Sequence, residues 1–96
     1  MTTEQQNNNC VMHGNICREL TELYHKKNHD YGDSFHTSFE KYGYTMAAIR
    51  LCDKLTRFEA LTRGKQLVND ESIRDTLIDL TNYAIMTVME IDRQHG

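Results

Sequence analysis

Four polar side chains near the C-terminus recur at a spacing that places them on one side of a helix. Glu71, Asp75, Asp79 and Asn82 follow one another at four, four and three residues, so at about 100° per residue they fall within about 80° of one another. Like charges one turn apart destabilise a helix by about 0.2–0.5 kcal/mol per pair, and partial burial raises the cost of each anion. We therefore expect a cation to face this acidic stripe.

A basic stripe precedes the acidic one. Arg50, Lys54 and Arg57 share one side of the preceding helix, with Asp53 beside them. One interpretation is a structural network of salt bridges between neighbouring helices. The other is a site in which the arginines and lysine bind phosphate while the carboxylates hold Mg²⁺ or orient water. Helical geometry alone does not choose between them.

Helical periodicity predicts the elements that carry both stripes. We expect helices over 10–28, 35–42, 45–62 and 70–93. Gly43 should end the second helix, and Asn69 or Asp70 should cap the last one. The core-facing residues of the third helix are predicted to be Ala48, Leu51, Cys52, Leu55 and Phe58.

Composition favours an all-α fold in one domain. The 96 residues include no proline and only three valines. We expect a flexible N-terminal segment over 1–9 and one helical domain over 10–96.

Charge and cysteine content limit the function classes. A net charge of −3 opposes general coating of DNA. Three cysteines without a CxxC pair indicate a reduced, cytoplasmic protein, and no apolar run approaches the length of a membrane span.

The last predicted helix is apolar on two nearly opposite sides. One side includes Ile73, Leu77 and Val88, and the other includes Ile78 and Ile85. Three long helices offer little material to cover both sides within one chain, so we expect a homo-oligomer.

Three segments carry a resemblance to a known family. HDYGDSF at 29–35, IRLCDKLTR at 49–57 and DESIRDTLIDLTNYAIM at 70–86 resemble the nucleotide modification associated domain 1 family of phage and bacterial proteins. The resemblance covers about residues 20–91. It implies a role related to nucleotide metabolism or DNA-base modification without specifying a reaction. The positions to which it points are Tyr31, Gly32, Asp33, Ser34, Arg50, Asp53, Lys54, Arg57, Glu71, Asp75, Asp79 and Asn82.

The chain is also similar, more weakly, to the MazG-like all-α nucleoside triphosphate pyrophosphatases. These enzymes bind Mg²⁺ with an ExxE motif on one helix and an ExxD motif on a later one. Glu19 and Glu22 have the first spacing, and Asp79 matches the last acid of the second motif. Thr76 stands where that motif has glutamate.

The aromatic and histidine residues offer further candidates. Tyr31, in a turn-prone segment, is the best choice for stacking on a nucleobase. His25 and His29 have a spacing that can hold Zn²⁺. Because no HExxH motif is present, contact of His29 or His36 with a ligand is the better interpretation.

The leading hypothesis is a nucleotide-binding domain with Mg²⁺ as candidate cofactor, and hydrolysis of a nucleotide phosphoanhydride as the candidate reaction. In that reaction Asp75 and Asp79 would be catalytic, and Glu71 would join them as metal ligands. Phosphates would contact Arg50, Lys54 and Arg57. The remaining contacts to the nucleotide would come from Tyr31, Asp33, Ser34 and Asn82.

Two alternatives stay open. The first is a module without enzymatic activity that sequesters a nucleotide, such as a cyclic nucleotide defence signal, or serves a DNA-modifying enzyme as an accessory subunit. The second is a purely structural interaction protein.

Overall fold

The computed structural model describes residues 2–31, 33–64 and 70–96. Within these residues the chain is all-α and contains no strand, so the predicted fold class is confirmed. The helices are α1 (Thr3–Tyr31), α2 (Ser34–Tyr42), α3 (Tyr44–Arg63) and α4 (Asp70–His95). The chain divides into two compact units, Met1–Gly32 with α1 and Asp33–Gly96 with the other three helices. The domain limits drawn from the sequence stay a prediction.

The first helix begins at Thr3, so the predicted start at residue 10 is wrong. The backbone N–H of Gln5 donates to Thr2 Oγ1 at 3.2 Å, and the backbone N–H of Thr2 donates to Gln5 Oε1 at 2.8 Å. This reciprocal pair is a capping box, which satisfies backbone donors that the first turn of a helix leaves free. The Thr-x-x-Gln spacing at 2–5 is a sequence signal of this capping box. The prediction missed it because the segment before residue 10 is polar and lacks apolar periodicity.

The turn between α2 and α3 depends on Gly43. Its φ of 62° and ψ of −146° lie in a region that side-chain-bearing residues rarely adopt. Its N–H donates to the carbonyl of Phe39 at 2.7 Å, which closes the last turn of α2. The predicted end of this helix at Gly43 is therefore confirmed.

A small aromatic core joins α2 to the two long helices of its unit. Phe39 is buried with Met46 and Ala47, and Phe35 packs against this cluster. The Phe35 ring stacks on Tyr83 of α4 with centroids 6.0 Å apart, and Phe39 meets Tyr44 of α3 edge-on at 5.5 Å. Such ring pairs contribute about 0.5–1.5 kcal/mol beyond area burial.

The helices α3 and α4 form an antiparallel hairpin. The six residues from Gly64 to Asn69 can span at most about 20 Å, whereas α3 is about 30 Å long for its 20 residues. A parallel arrangement would need the connection to run the whole length of α3. Antiparallel packing is also consistent with an α3–α4 contact at Lys54 and Asp79, since each lies equally far from its end of the connection.

The side of α3 that faces α4 overlaps the predicted one only in part, through Leu51 and Phe58. Ala47 is buried, and the residues at four- and three-residue steps after it are half-buried: Leu51, Lys54, Phe58 and Leu61. Three predicted core residues are exposed: Ala48, Cys52 and Leu55. The prediction failed because it placed only apolar residues against the neighbouring helix, while a lysine occupies the middle of the contact.

Buried positions on α4 are equally mixed in polarity. Ile78 is buried, but so are the polar residues Thr76, Asn82 and Glu90, while Leu77, Ile85 and Val88 are exposed.

Over the described residues, no helix combines the length and hydropathy that crossing a bilayer requires.

Candidate functional site

The centre of the hairpin is an ion pair between its two helices. Lys54 Nζ lies 3.0 Å from Asp79 Oδ2, and the two side chains keep only 27% and 23% of their exposure. An exposed pair contributes at most about 1 kcal/mol because water screens it. A pair that has lost about three-quarters of its exposure is less screened, so this contact should stabilise the hairpin more than a surface pair does.

The contact also defines which residues lie side by side along the hairpin. In antiparallel helices a step forward along α3 matches a step backward along α4. Arg57 therefore lies level with Asp75 and Thr76, and Arg50 lies level with Asn82 and Tyr83.

The predicted site residues of both helices lie on one side of the hairpin. Ala47 marks the direction in which α3 faces α4. Around the α3 axis, that direction is separated by about 60–120°, all in the same rotational sense, from Arg50, Asp53 and Arg57. Tyr83 marks the direction in which α4 faces α3. Around the α4 axis, that direction is separated by about 80–120°, in the same rotational sense as in α3, from Glu71, Asp75 and Asn82. When two antiparallel helices face each other, a rotation in the same sense, viewed along each helix from its N-terminus, leads to the same side of the hairpin. We call this the charged face, defined by Arg50, Asp53, Arg57, Glu71, Asp75 and Asn82.

The structure bears on the choice between a salt-bridge network and a ligand site. Lys54 and Asp79 are paired, as the network interpretation requires. Arg50 and Arg57 are exposed, and in the described part of the chain neither forms an ion pair with Glu71 or Asp75. Among the described residues, Lys54 and Asp79 are therefore the members of the two stripes that form an ion pair with each other, while Arg50, Arg57, Glu71 and Asp75 are exposed on the charged face.

Two polar residues of α4 are buried: Asn82, which belongs to the charged face, and Thr76, which lies on the side that faces α3. Asn82 keeps 8% of its exposure. Thr76, the residue that departs from the MazG-like motif, keeps 3% and donates its hydroxyl to the carbonyl of Ser72 at 2.8 Å. Thr76 therefore packs within the helices and offers no carboxylate where the motif requires one.

The metal prediction meets a geometric limit. Glu71 and Asp79 are two turns apart, about 12 Å along the helix axis, so they cannot share one ion with Asp75. The described residues contain no group of three His, Cys, Asp or Glu side chains placed to hold a metal. A Mg²⁺ ion held by Glu71 and Asp75 together with ligand phosphates fits this geometry better, since Mg²⁺ commonly uses one or two carboxylates.

The DYGDS segment is only partly described. Tyr31 ends α1 and Gly32 lies outside the described residues, so the predicted contact of the Tyr31 ring with a base stays a prediction. Asp33 and Ser34 are exposed at the start of α2. The Asp33 carbonyl accepts both the backbone N–H and the hydroxyl of Thr37, at 3.1 and 3.2 Å. The Asp33 carboxylate makes no capping hydrogen bond.

A second polar cluster was not predicted. His36 Nδ1 lies 2.9 Å from the carboxylate of Glu90, and His36 Nε2 lies 2.9 Å from Glu40. The Glu90 side chain keeps only 6% of its exposure and is also paired with Arg93. The hydrogen bond to Glu90 raises the pKa of His36 above 6.5. His36 was predicted as a possible ligand contact, and the spacings 36/40 and 90/93 were the only sequence signals of these pairs.

Taken together, the fold and the charged face define a small all-α protein whose helical hairpin presents arginines and carboxylates on one side. The sequence profile of the nucleotide modification associated domain 1 family matches residues 27–91, a range that includes all of α2 and α3 and most of α4. The chain therefore belongs to this family. No curated protein and no solved structure matches it.

Proposed function

We propose that this protein binds a nucleotide through its phosphates, using Arg50, Lys54 and Arg57. The observation that carries the proposal is the Lys54–Asp79 pair at the centre of the hairpin, flanked one turn away on each side by an exposed arginine. Membership of a family associated with nucleotide modification makes a nucleotide the natural anion.

The three basic side chains have complementary properties. An arginine guanidinium can donate two parallel hydrogen bonds to one phosphate. A lysine ammonium has three donors, so Lys54 can keep its bond to Asp79 and still donate to a phosphate. Because the whole chain carries a charge of −3, binding should depend on this local patch rather than on general attraction to phosphate.

The carboxylates Glu71 and Asp75 support a role for Mg²⁺. Both are exposed, they lie one turn apart, and Arg57 lies level with Asp75. They would hold a Mg²⁺ ion that also contacts the nucleotide phosphates, where the ion would neutralise charge. Asp79 would instead hold Lys54 in place. Hydrolysis of a phosphoanhydride is the second candidate function, supported by the same two carboxylates.

Thermal unfolding with a panel of nucleotides tests the proposal. The panel contains nucleoside triphosphates, monophosphates and cyclic dinucleotides, each with and without Mg²⁺. Ligand at a hundred times its Kd stabilises the native state by about 2.7 kcal/mol, which raises the Tm of a domain this small by about 10 °C or more. Failure of every nucleotide to raise Tm would refute the proposal.

Matched variants locate the site. Arg50→Gln and Arg57→Gln should each weaken binding about tenfold or more, since hydrogen bonds to charged groups contribute about 1.5–3 kcal/mol. Arg63→Gln is the control, because Arg63 lies on the same helix, is exposed and among the described residues pairs with Glu59, one turn away. Equal losses in all three variants would point to general electrostatic attraction. Release of pyrophosphate or phosphate in the presence of Mg²⁺, lost in Glu71→Gln, would establish hydrolysis.

A further inference from the structure

The side of the hairpin opposite the charged face is apolar and exposed. Leu55 keeps 48% of its exposure, Leu77 40% and Val88 54%. On the helical wheel these residues lie about 80–140° from the α3–α4 contact lines, in the rotational sense opposite to the charged face. We call this side the apolar face, defined by Ala48, Cys52, Leu55, Leu77, Ala84 and Val88.

The apolar face lacks any charged side chain over most of its length. On α3 it carries none from Tyr44 to Leu55, and on α4 none from Ile73 to Ile91. An exposed apolar patch bordered by polar residues is typical of a protein interface. Without cations the patch does not suit nucleic acid, and its best complement is another uncharged apolar surface.

The size of the apolar face suits the central part of a dimer interface. The uncharged part of the apolar face is about 17 Å long on α3 and about 27 Å long on α4, and at about 10 Å of width per helix it presents about 440 Å² in projection. Stable interfaces bury about 800 Å² on each partner, measured over the corrugated surface. The apolar face is therefore large enough to form the central part of such an interface, and the polar residues along its edges would complete it.

The order of residues on the face fits a second copy of the same chain. Leu55 lies level with Leu77 near one end, and Tyr44 lies level with Val88 near the other. Between the ends are small residues: Ala48, Cys52 and Ala84. A two-fold axis through this middle region would place the end with Leu55 and Leu77 against the partner's end with Tyr44 and Val88. Both copies would then use the same face, as an isologous contact requires.

We propose that the apolar face binds a second copy of this chain in antiparallel orientation, with the axis near Ala48 and Cys52. The two hairpins form a four-helix arrangement with the charged face of each copy directed outward. The dimer does not depend on nucleotide binding.

Mass measurement by light scattering of the full chain, combined with circular dichroism, tests the dimer. The wild type should have twice the 11.2 kDa mass of the chain. Leu55→Glu with Val88→Glu should halve that mass while helicity is retained. Ile49→Glu is the matched control, because Ile49 is 56% exposed but lies about 120° around α3 from Leu55, and this variant should remain dimeric.

Three results would overturn the proposal. They are a monomeric wild type at micromolar concentration, a dimer that survives the double substitution, and a dimer lost equally in Val11→Glu. Val11 is an exposed apolar residue of α1, so the last result would assign the association to that helix.

Crosslinking provides a readout that keeps the apolar face intact. All three cysteines are exposed and free, so Cys10→Ser with Cys17→Ser leaves Cys52 as the only thiol. A short bis-maleimide should join two such chains through Cys52 in high yield. The control variant Cys52→Ser keeps the other two thiols and should yield little dimer. The reverse pattern would exclude an axis near Cys52.

Discussion

The substitution Asp79→Asn removes one charge from the centre of the hairpin and changes little else in shape. At the 3.0 Å separation of Lys54 Nζ and Asp79 Oδ2, the gross attraction is about 5–6 kcal/mol at an effective dielectric constant of about 20. Desolvation of two ions that are about three-quarters covered offsets most of this attraction. We expect a net loss of about 2 kcal/mol in the free energy of unfolding, between the values for exposed and fully buried pairs.

Urea denaturation measures this loss, and a double-mutant cycle with Lys54→Met isolates the part due to the pair. The cycle should give a coupling energy of about 1–2 kcal/mol. The chain provides a matched control in Glu59 and Arg63, whose atoms are 3.1 Å apart but whose side chains keep 43% and 78% of their exposure. Glu59→Gln should cost at most about 0.5 kcal/mol.

Comparison of the two pairs tests the reasoning from burial. Their separations are nearly equal, so reduced screening predicts the larger coupling energy for Lys54 and Asp79. Because substitution of Asp79 also removes a further interaction of that residue, the coupling energy is the quantity to compare. A coupling energy near zero for Lys54 and Asp79, or equal costs at Asp79 and Glu59, would show that the central pair is screened like a surface pair. The proposed positioning of Lys54 by Asp79 would then have no energetic basis.

Other predictions concern the turn, the cap and the histidine. Gly43→Ala should destabilise the unit of α2, α3 and α4 by about 1–3 kcal/mol, measured by urea unfolding; a Cβ there meets no atom within 4 Å, so a neutral result would contradict the backbone argument. Thr2→Ala should cost about 1 kcal/mol of local helix stability, seen as faster amide exchange at Gln5 and Gln6, and unchanged exchange would contradict the capping box. The raised pKa of His36 means that its contribution to stability is complete below the unfolded-state value of 6.5 and is lost as pH rises through the folded-state pKa. The wild type should therefore lose stability over that range relative to His36→Gln, and parallel pH profiles for the two proteins would refute the role of the Glu90 contact.

Periodicity predicted the helices of the second unit to within two residues at each described end, because their apolar residues recur at helical spacing. It failed at the start of α1, where a polar capping box continues the helix without apolar residues. On α3 it identified only part of the side that meets α4, through Leu51 and Phe58. That side contains Lys54, and a method that places only apolar residues in contacts cannot find a lysine whose partner is twenty-five residues away in sequence.

The sequence also predicted the candidate site only in part. The two stripes were visible because their spacing is local to each helix, and the structure places their exposed members on one side of one hairpin. Which acid pairs with which base depends on how the helices are aligned. That alignment reflects the packing of the whole unit, including the contact of Phe35 with Tyr83 and that of His36 with Glu90. Neither contact has a signal in local sequence.

A partly buried ion pair is an inefficient way to stabilise a hairpin, because apolar residues of similar size often do as well or better. Its distinctive property is that it favours one alignment, since a shift of either helix by one turn would break the ion pair between Lys54 and Asp79. The alignment that it favours is the one in which Arg57 lies level with Asp75 and Arg50 with Asn82. If those side chains bind the phosphates of a nucleotide, the pair contributes to binding by holding the two helices in the alignment that brings the arginines and carboxylates to one ligand. Replacing both charges, Lys54→Met with Asp79→Leu, should therefore preserve stability and weaken nucleotide binding, whereas a pair retained for stability alone would show the opposite.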